Sequence, residues 1–264
     1  GYLTACLSKL TNYTNADSFT EIAMHITSVK TEMEERRFCL NEAAKHHVQL
    51  SESIEVIIGN RLENIAKQSG AHEAIKYFSG ITIKEKELAI VWLGKKCISV
   101  NEVKDFFPEL FDYMQVQPML TPNCMWLSSY IDEYKKAKLG NIYTDEIKTA
   151  ISEHNADSVA FDTWYQSLKT TRFLLAGRND IDVYYWIDGL GVEWIPFIQA
   201  ILAKHQQDNI YLNEVMVARA LLPTTTEVNK IALQHLSDVD IQTMKVGDLD
   251  SMAHQSSNRY PNTI

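Results

Sequence analysis

The chain has 264 residues, 45% of them hydrophobic and 22% charged, and a formal net charge of −9. That is enough apolar material for one large domain or two smaller ones, and it excludes global disorder. The acidic balance argues against a broad electrostatic grip on nucleic acid or anionic lipid and leaves room only for a local basic patch.

No apolar run approaches the roughly 20 residues that a membrane span needs, and Tyr2–Leu10 is neither basic nor apolar enough for a secretory leader. The four cysteines, Cys6, Cys39, Cys97 and Cys124, are widely spaced and include no CxxC pair. That pattern points away from disulfides and a structural zinc site, and towards a reducing cytoplasm.

From about Asp17 to Thr171 the sequence reads as helical. Ser18 and Glu21 have the spacing of a capping box, which predicts a helix start there. Met24, Ile26, Val29 and Met33 begin an amphipathic pattern that continues through Phe38–Val48 and Ile54–Ala66. Ile81–Ile83 reads as a short strand. Further helices are predicted over Asn101–Tyr113, Cys124–Leu139, Thr144–Glu153 and Phe161–Thr170, with Pro108, Pro118, Pro122 and Gly140 as punctuation. Lys135, Lys136 and Lys138 with Tyr130 and Tyr134 read as a solvated helix surface, the competing reading being a small basic–aromatic face.

After Gly177 the period changes. Asp182–Ile187 is a continuous apolar run of strand length, the mark of a strand covered on both faces. Helical spacing returns at Trp194, Ile195, Ile198, Ile201 and Leu202. Glu214–Leu222 reads as another strand, and a third is predicted within Leu236–Val246. Strand, helix and strand with short joints indicate a parallel sheet. The expected organisation is therefore a helical domain over residues 1–176 and an α/β domain over 177–264.

Functional groups in parallel sheets collect where strand carboxyl ends meet their loops. Asp188 holds that position after the first strand, with Gly189 and Gly191 leaving room beside it. An Asp-Gly turn explains it structurally; a rigidly held carboxylate for a hard cation explains it functionally. Thr224, Thr225 and Thr226 precede Glu227 where a helix is expected to start, with a threonine as its cap. A hydroxyl in the positive field of a helix start is also a reasonable nucleophile when a metal stabilises its alkoxide. Asp250 and His254 are four apart and would share a helix face, where they could bind one ion, although the spacing is also commonplace on helix surfaces. His46, His47, His72, His154, His205 and His235 lack partners at ligand spacing and read as surface or locally bonded residues.

Taken in order, YYWIDGLGVEW (184–194), ARALLPTTTEVNK (218–230) and LDSMAHQSSNRYP (249–261) resemble the start of a PglZ domain. This is the alkaline-phosphatase-like module of bacterial phage-exclusion (BREX) systems. YIDEYKKAKLGN (130–141) and FDTWYQSL (161–168) are similar to the helical region that precedes it in such proteins. The resemblance implies an α/β class, with a mainly helical amino-terminal domain followed by the opening part of an alkaline-phosphatase-like parallel-sheet domain. It further implies a two-metal phosphoesterase in which Asp188 is the first metal-binding aspartate. A proline-threonine-x-threonine pattern points to Thr226 as nucleophile and metal ligand, with Thr224 as the alternative. Zinc is the implied metal, with manganese or magnesium as substitutes, and other defence-system subunits are the implied partners.

The sequence departs from that pattern in one respect. It contains no Asp-His pair, whereas three or four protein ligands per ion is the normal requirement. The expectation is therefore an amino-terminal part of a longer protein, itself inactive, whose parent is a cytoplasmic metal-dependent hydrolase. The alternative is a helical module that docks partner proteins or DNA and scaffolds a defence complex. A third expectation is a complete α/β domain with a structural Asp-Gly turn.

Overall fold

A computed structural model describes residues 16–45, 50–118, 125–175, 184–187, 190–223, 225, 227–229 and 241–244. These residues are mainly helical and fall into two units. The first comprises residues 1–115 with 139–142, and the second 116–138 with 143–264.

In the first unit the helices are α1 (Ala16–Met24), α2 (Lys30–Lys45), α3 (Glu52–Ser69), α4 (Ala71–Ala74), α5 (Ile83–Gly94), α6 (Val100–Val103) and α7 (Pro108–Tyr113). α3 follows the extended Ser51 and stops at Gly70, whose φ of 89° only glycine adopts at low cost. The strand expected at Ile81–Ile83 does not form. Thr82 is instead the N-cap of α5, its hydroxyl accepting the Glu85 N–H at 3.1 Å, and Ile83 is the first helical residue. A local cap outweighs the weak β preference of two isoleucines. The capping box expected at Ser18 is likewise displaced: α1 begins at Ala16, so Ser18 lies inside the helix. A serine and glutamate three apart do meet at α6, where the Ser99 N–H and hydroxyl donate to Glu102 Oε2 at 2.7 and 2.8 Å.

Apolar periodicity puts Cys39 and Leu40 of α2, Ile58 and Leu62 of α3, and Ala89 and Leu93 of α5 into one core. Phe78 fills its centre, with its ring centroid 5.5 Å from Trp92 and 5.3 Å from Phe106. A charged pair is sealed within this core, Arg36 at 2% side-chain exposure and Glu85 at 0%. The guanidinium donates to the carbonyls of Ala23 and Tyr77 as well as to Glu85 Oε1. Glu85 Oε2 accepts from the Ser79 hydroxyl and the Gly80 N–H. Gly80 has a φ of 79°, and a Cβ there would collide with the Phe106 carbonyl. The loop before α5 is thus pinned by the charge that α5 carries inward.

In the second unit, α8 spans Met125–Gly140, of which the residues up to Lys138 belong here. α9 (Asp145–Ala156) starts at the Thr144 cap, and α10 (Ser158–Ser167) starts at Asp157, whose carboxylate accepts the Ala160 N–H at 3.1 Å. α11 (Thr171–Leu175) follows. The segments β1 (Tyr184–Ile187) and β2 (Ile241–Met244) pair in parallel, Tyr184 opposite Ile241 and Ile187 opposite Met244. Parallel pairing needs a crossover, and the connecting chain includes a 3-10 turn (Val192–Trp194) and α12 (Ile195–Lys204). Pro196 sits in the first turn of α12, where its missing N–H costs nothing.

The strand expected at Glu214–Leu222 is corrected by the structure. Apart from one parallel bridge, Thr170 to Arg219, the segment makes no ladder among the described residues. Val215 and Val217 are only half-buried, and Met216 and Leu222 are 42% and 76% exposed, so the burial that would make a strand worthwhile is missing.

Candidate functional site

Residues 190–194, which begin three positions after the end of β1, are fixed by contacts within the second unit. Glu193, 10% exposed, receives the Lys138 ammonium at 3.0 Å, and the Gln117 amide donates to the Val192 carbonyl at 3.0 Å. Gly191 stands where any Cβ would strike the Glu193 carboxylate. The same Lys138 lies 5.6 Å from the centroid of Trp194, which meets Phe197 edge to face at 5.7 Å. A side chain at 191 would have to displace the Glu193 carboxylate from its present position.

The lysines of α8 are not the solvated surface that their spacing suggests. Lys135 is fully buried and lies 3.8 Å from Asp132, Lys138 is 13% exposed, and Lys136 pairs with Glu133 at 2.6 Å. Tyr130 and Tyr134 stack at 6.4 Å. Burial holds the Lys135 ammonium below the ordinary lysine value against the opposing pull of Asp132 and Glu193. A lysine with a lowered folded pKa binds fewer protons folded than unfolded between the two values. Stability therefore rises with pH through that window and is flat below it. Urea unfolding of wild type beside Lys135→Met, from about pH 7 to the ordinary lysine value near 10.4, is expected to show wild type gaining on the variant at alkaline pH. Parallel curves would contradict this.

The threonine segment is ordered by Asn229, which is 8% exposed. Its Oδ1 accepts the Leu221 N–H at 2.7 Å, and its Nδ2 donates to the Leu221 carbonyl at 3.2 Å and the Thr225 carbonyl at 3.0 Å. Residues 227–229 are helical, and the Thr225 hydroxyl accepts the Val228 N–H at 3.4 Å. The expected threonine-capped helix start is present, and the capping residue is Thr225.

Asp188, Thr224, Thr226, Asp250 and His254 themselves lie outside the described residues. Among the described residues no group of three or more His, Cys, Asp and Glu side chains is disposed to hold a metal ion, so these residues alone do not fit a two-metal centre. The described histidines named above are locally bonded: His72 to Glu102 at 2.7 Å, His154 to the Ala150 carbonyl at 2.7 Å and His205 to Asp208 at 2.8 Å. Neither Cys39 nor Cys97 is in a disulfide. No described helix is long and apolar enough to cross a membrane.

Sequence reasoning passed over Glu193, Gln117 and Asn229. Glu193 and Asn229 stand inside the stretches that it singled out, but their burial depends on tertiary contacts. No known family, curated protein or solved structure matches the chain.

Proposed function

We propose that the chain contributes the opening part of a divalent-metal phosphoesterase site of alkaline-phosphatase type, belonging to a bacterial phage-defence protein. The supporting observation is the parallel pairing of Tyr184–Ile187 with Ile241–Met244 across a helix-bearing connection, because Asp188 then follows directly on a strand's carboxyl end. Asp188 supplies a carboxylate to the cation, zinc or else manganese or magnesium. Thr226, or Thr224, supplies the hydroxyl beside a helix start whose cap is Thr225. One carboxylate and one hydroxyl fall short of the ligands that two ions need, so the remaining ligands come from elsewhere in the parent protein and the 264 residues alone are inert.

The test is hydrolysis of p-nitrophenyl mono- and diesters by the parent and by the 264-residue chain. Activity confined to the parent, lost with a chelator and restored by a divalent cation, is expected. A parent that turns over neither ester with any added cation overturns the reading.

A second reading, a helical docking module, is favoured by a groove of about 650 Å³ in the first unit, floored by Val56, Leu88, Val91 and Trp92. Two of its lysines are accompanied by glutamates, with Lys67 3.7 Å from Glu63 and Lys84 2.6 Å from Glu87. That mixed rim suits a defence-system protein partner better than DNA. The two readings are compatible, since a defence complex needs assembly as well as chemistry.

A further inference from the structure

Three helices of the second unit bring aromatic rings together around a small cavity. Trp126 comes from α8, His154 from α9 and Trp164 from α10, and with Glu153, Asp157 and Ala160 they line a space of about 290 Å³. The two indoles stand nearly perpendicular, with centroids 5.2 Å apart and an interplanar angle of 77°. The His154 ring lies 3.9 Å from Trp126, tilted by 35°. Its orientation is fixed because Nδ1–H donates to the Ala150 carbonyl at 2.7 Å, an atom that can only accept.

The electrostatics of this lining point one way. Indole faces are negative, and the two acidic residues, Glu153 and Asp157, are exposed at the lip. One Asp157 oxygen is engaged by the Ala160 N–H, which holds the carboxylate at the junction of α9 and α10. Among the described residues no lysine or arginine lines the cavity. An anion finds no counter-charge in this lining, and a neutral ring gains nothing from the carboxylates. A compact organic cation is attracted by the indole faces and by both carboxylates.

We infer that this pocket, walled by Trp126, His154 and Trp164 and rimmed by Glu153 and Asp157, binds an alkylammonium head group of the trimethylammonium class. The inference is independent of the phosphoesterase reading. The head group can arrive on a small molecule such as choline or on a methylated lysine of a partner protein, and the chemistry recognised is the same.

The test is titration of the 264-residue chain followed through its indole N–H resonances, with Trp164→Phe to assign that signal. The probes are tetramethylammonium, choline, a trimethyl-lysine peptide and 3,3-dimethylbutan-1-ol, the uncharged isostere of choline. Saturable shifts of the Trp126 and Trp164 signals with the cations are expected, with the isostere bound at least about fivefold more weakly. Glu153→Gln, a change at an exposed position that leaves the rings in place, should weaken the cations about two- to threefold and leave the isostere unaffected. Tighter binding of the peptide would identify a protein source, and tighter binding of choline a free metabolite. Equal binding of choline and its isostere, or no saturable shift at about 100 mM tetramethylammonium, would overturn the assignment.

Discussion

Glu85→Ala is expected to destabilise the first unit by about 3–5 kcal/mol, the largest loss of stability that a single described residue should cause. Its carboxylate is completely buried and answers three groups at once: the Arg36 guanidinium, the Ser79 hydroxyl and the Gly80 N–H. Removing it leaves Arg36, 2% exposed, as an uncompensated charge that still bonds the Ala23 and Tyr77 carbonyls. It also frees the turn at Gly80 on which α5 is hung. Urea unfolding measures the loss. The double replacement Arg36→Met with Glu85→Leu should recover the part owed to the uncompensated charge, while the Gly80 N–H and the Ala23 and Tyr77 carbonyls stay without these partners and keep the variant below wild type. A single variant within about 1 kcal/mol of wild type would show that the pair is not buried in solution.

Asp188→Asn is expected to lower the phosphoesterase kcat/KM of the parent at least a hundredfold while leaving its unfolding midpoint nearly unchanged. Loss of an outer partner of a metal ligand already costs about 10–100-fold, and loss of the ligand's own charge costs more. Asparagine is chosen because it forms the same turns as aspartate before glycine. A structural Asp-Gly turn would therefore tolerate it with activity intact. Steady-state hydrolysis beside thermal unfolding of the same preparation separates the outcomes.

Long periodic segments were legible in the sequence. The apolar spacing over Phe38–Val48, as far as the described residues reach at Lys45, and over Ile54–Ala66 corresponds to α2 and α3, and Thr144 capped the helix expected of it. The run ending at Ile187 and the one within Leu236–Val246 contain the two paired segments. Short apolar runs misled. Ile81–Ile83 belongs to a helix start because the Thr82 hydroxyl captures a backbone N–H, a contact that outranks β preference over three residues. Glu214–Leu222 has strand composition but gains only one bridge.

The charged residues of α8 were the least legible. Lys135 and Lys138 follow a spacing that usually faces water; Asp132 lies one turn before Lys135 on the same helix, but the position of Glu193, which receives Lys138, is set by tertiary structure. The same limit applies around the candidate site. The glycines after Asp188 suggested open space, whereas Gly191 is small because the Glu193 carboxylate folds back over it. Asn229, which ties Leu221 to Thr225, is invisible to any pattern of period or spacing.

The central proposal is convergence of the Asp188 carboxylate and the Thr226 hydroxyl on a divalent ion. Anomalous scattering at the zinc edge, from crystals of the parent protein grown with zinc, tests it most directly. A peak about 2.0–2.2 Å from an Asp188 oxygen is expected, with the Thr226 hydroxyl within about 6 Å of that carboxylate, close enough to share a two-ion centre. Zinc bound elsewhere, or a threonine hydroxyl on the far side of the paired strands, would contradict it.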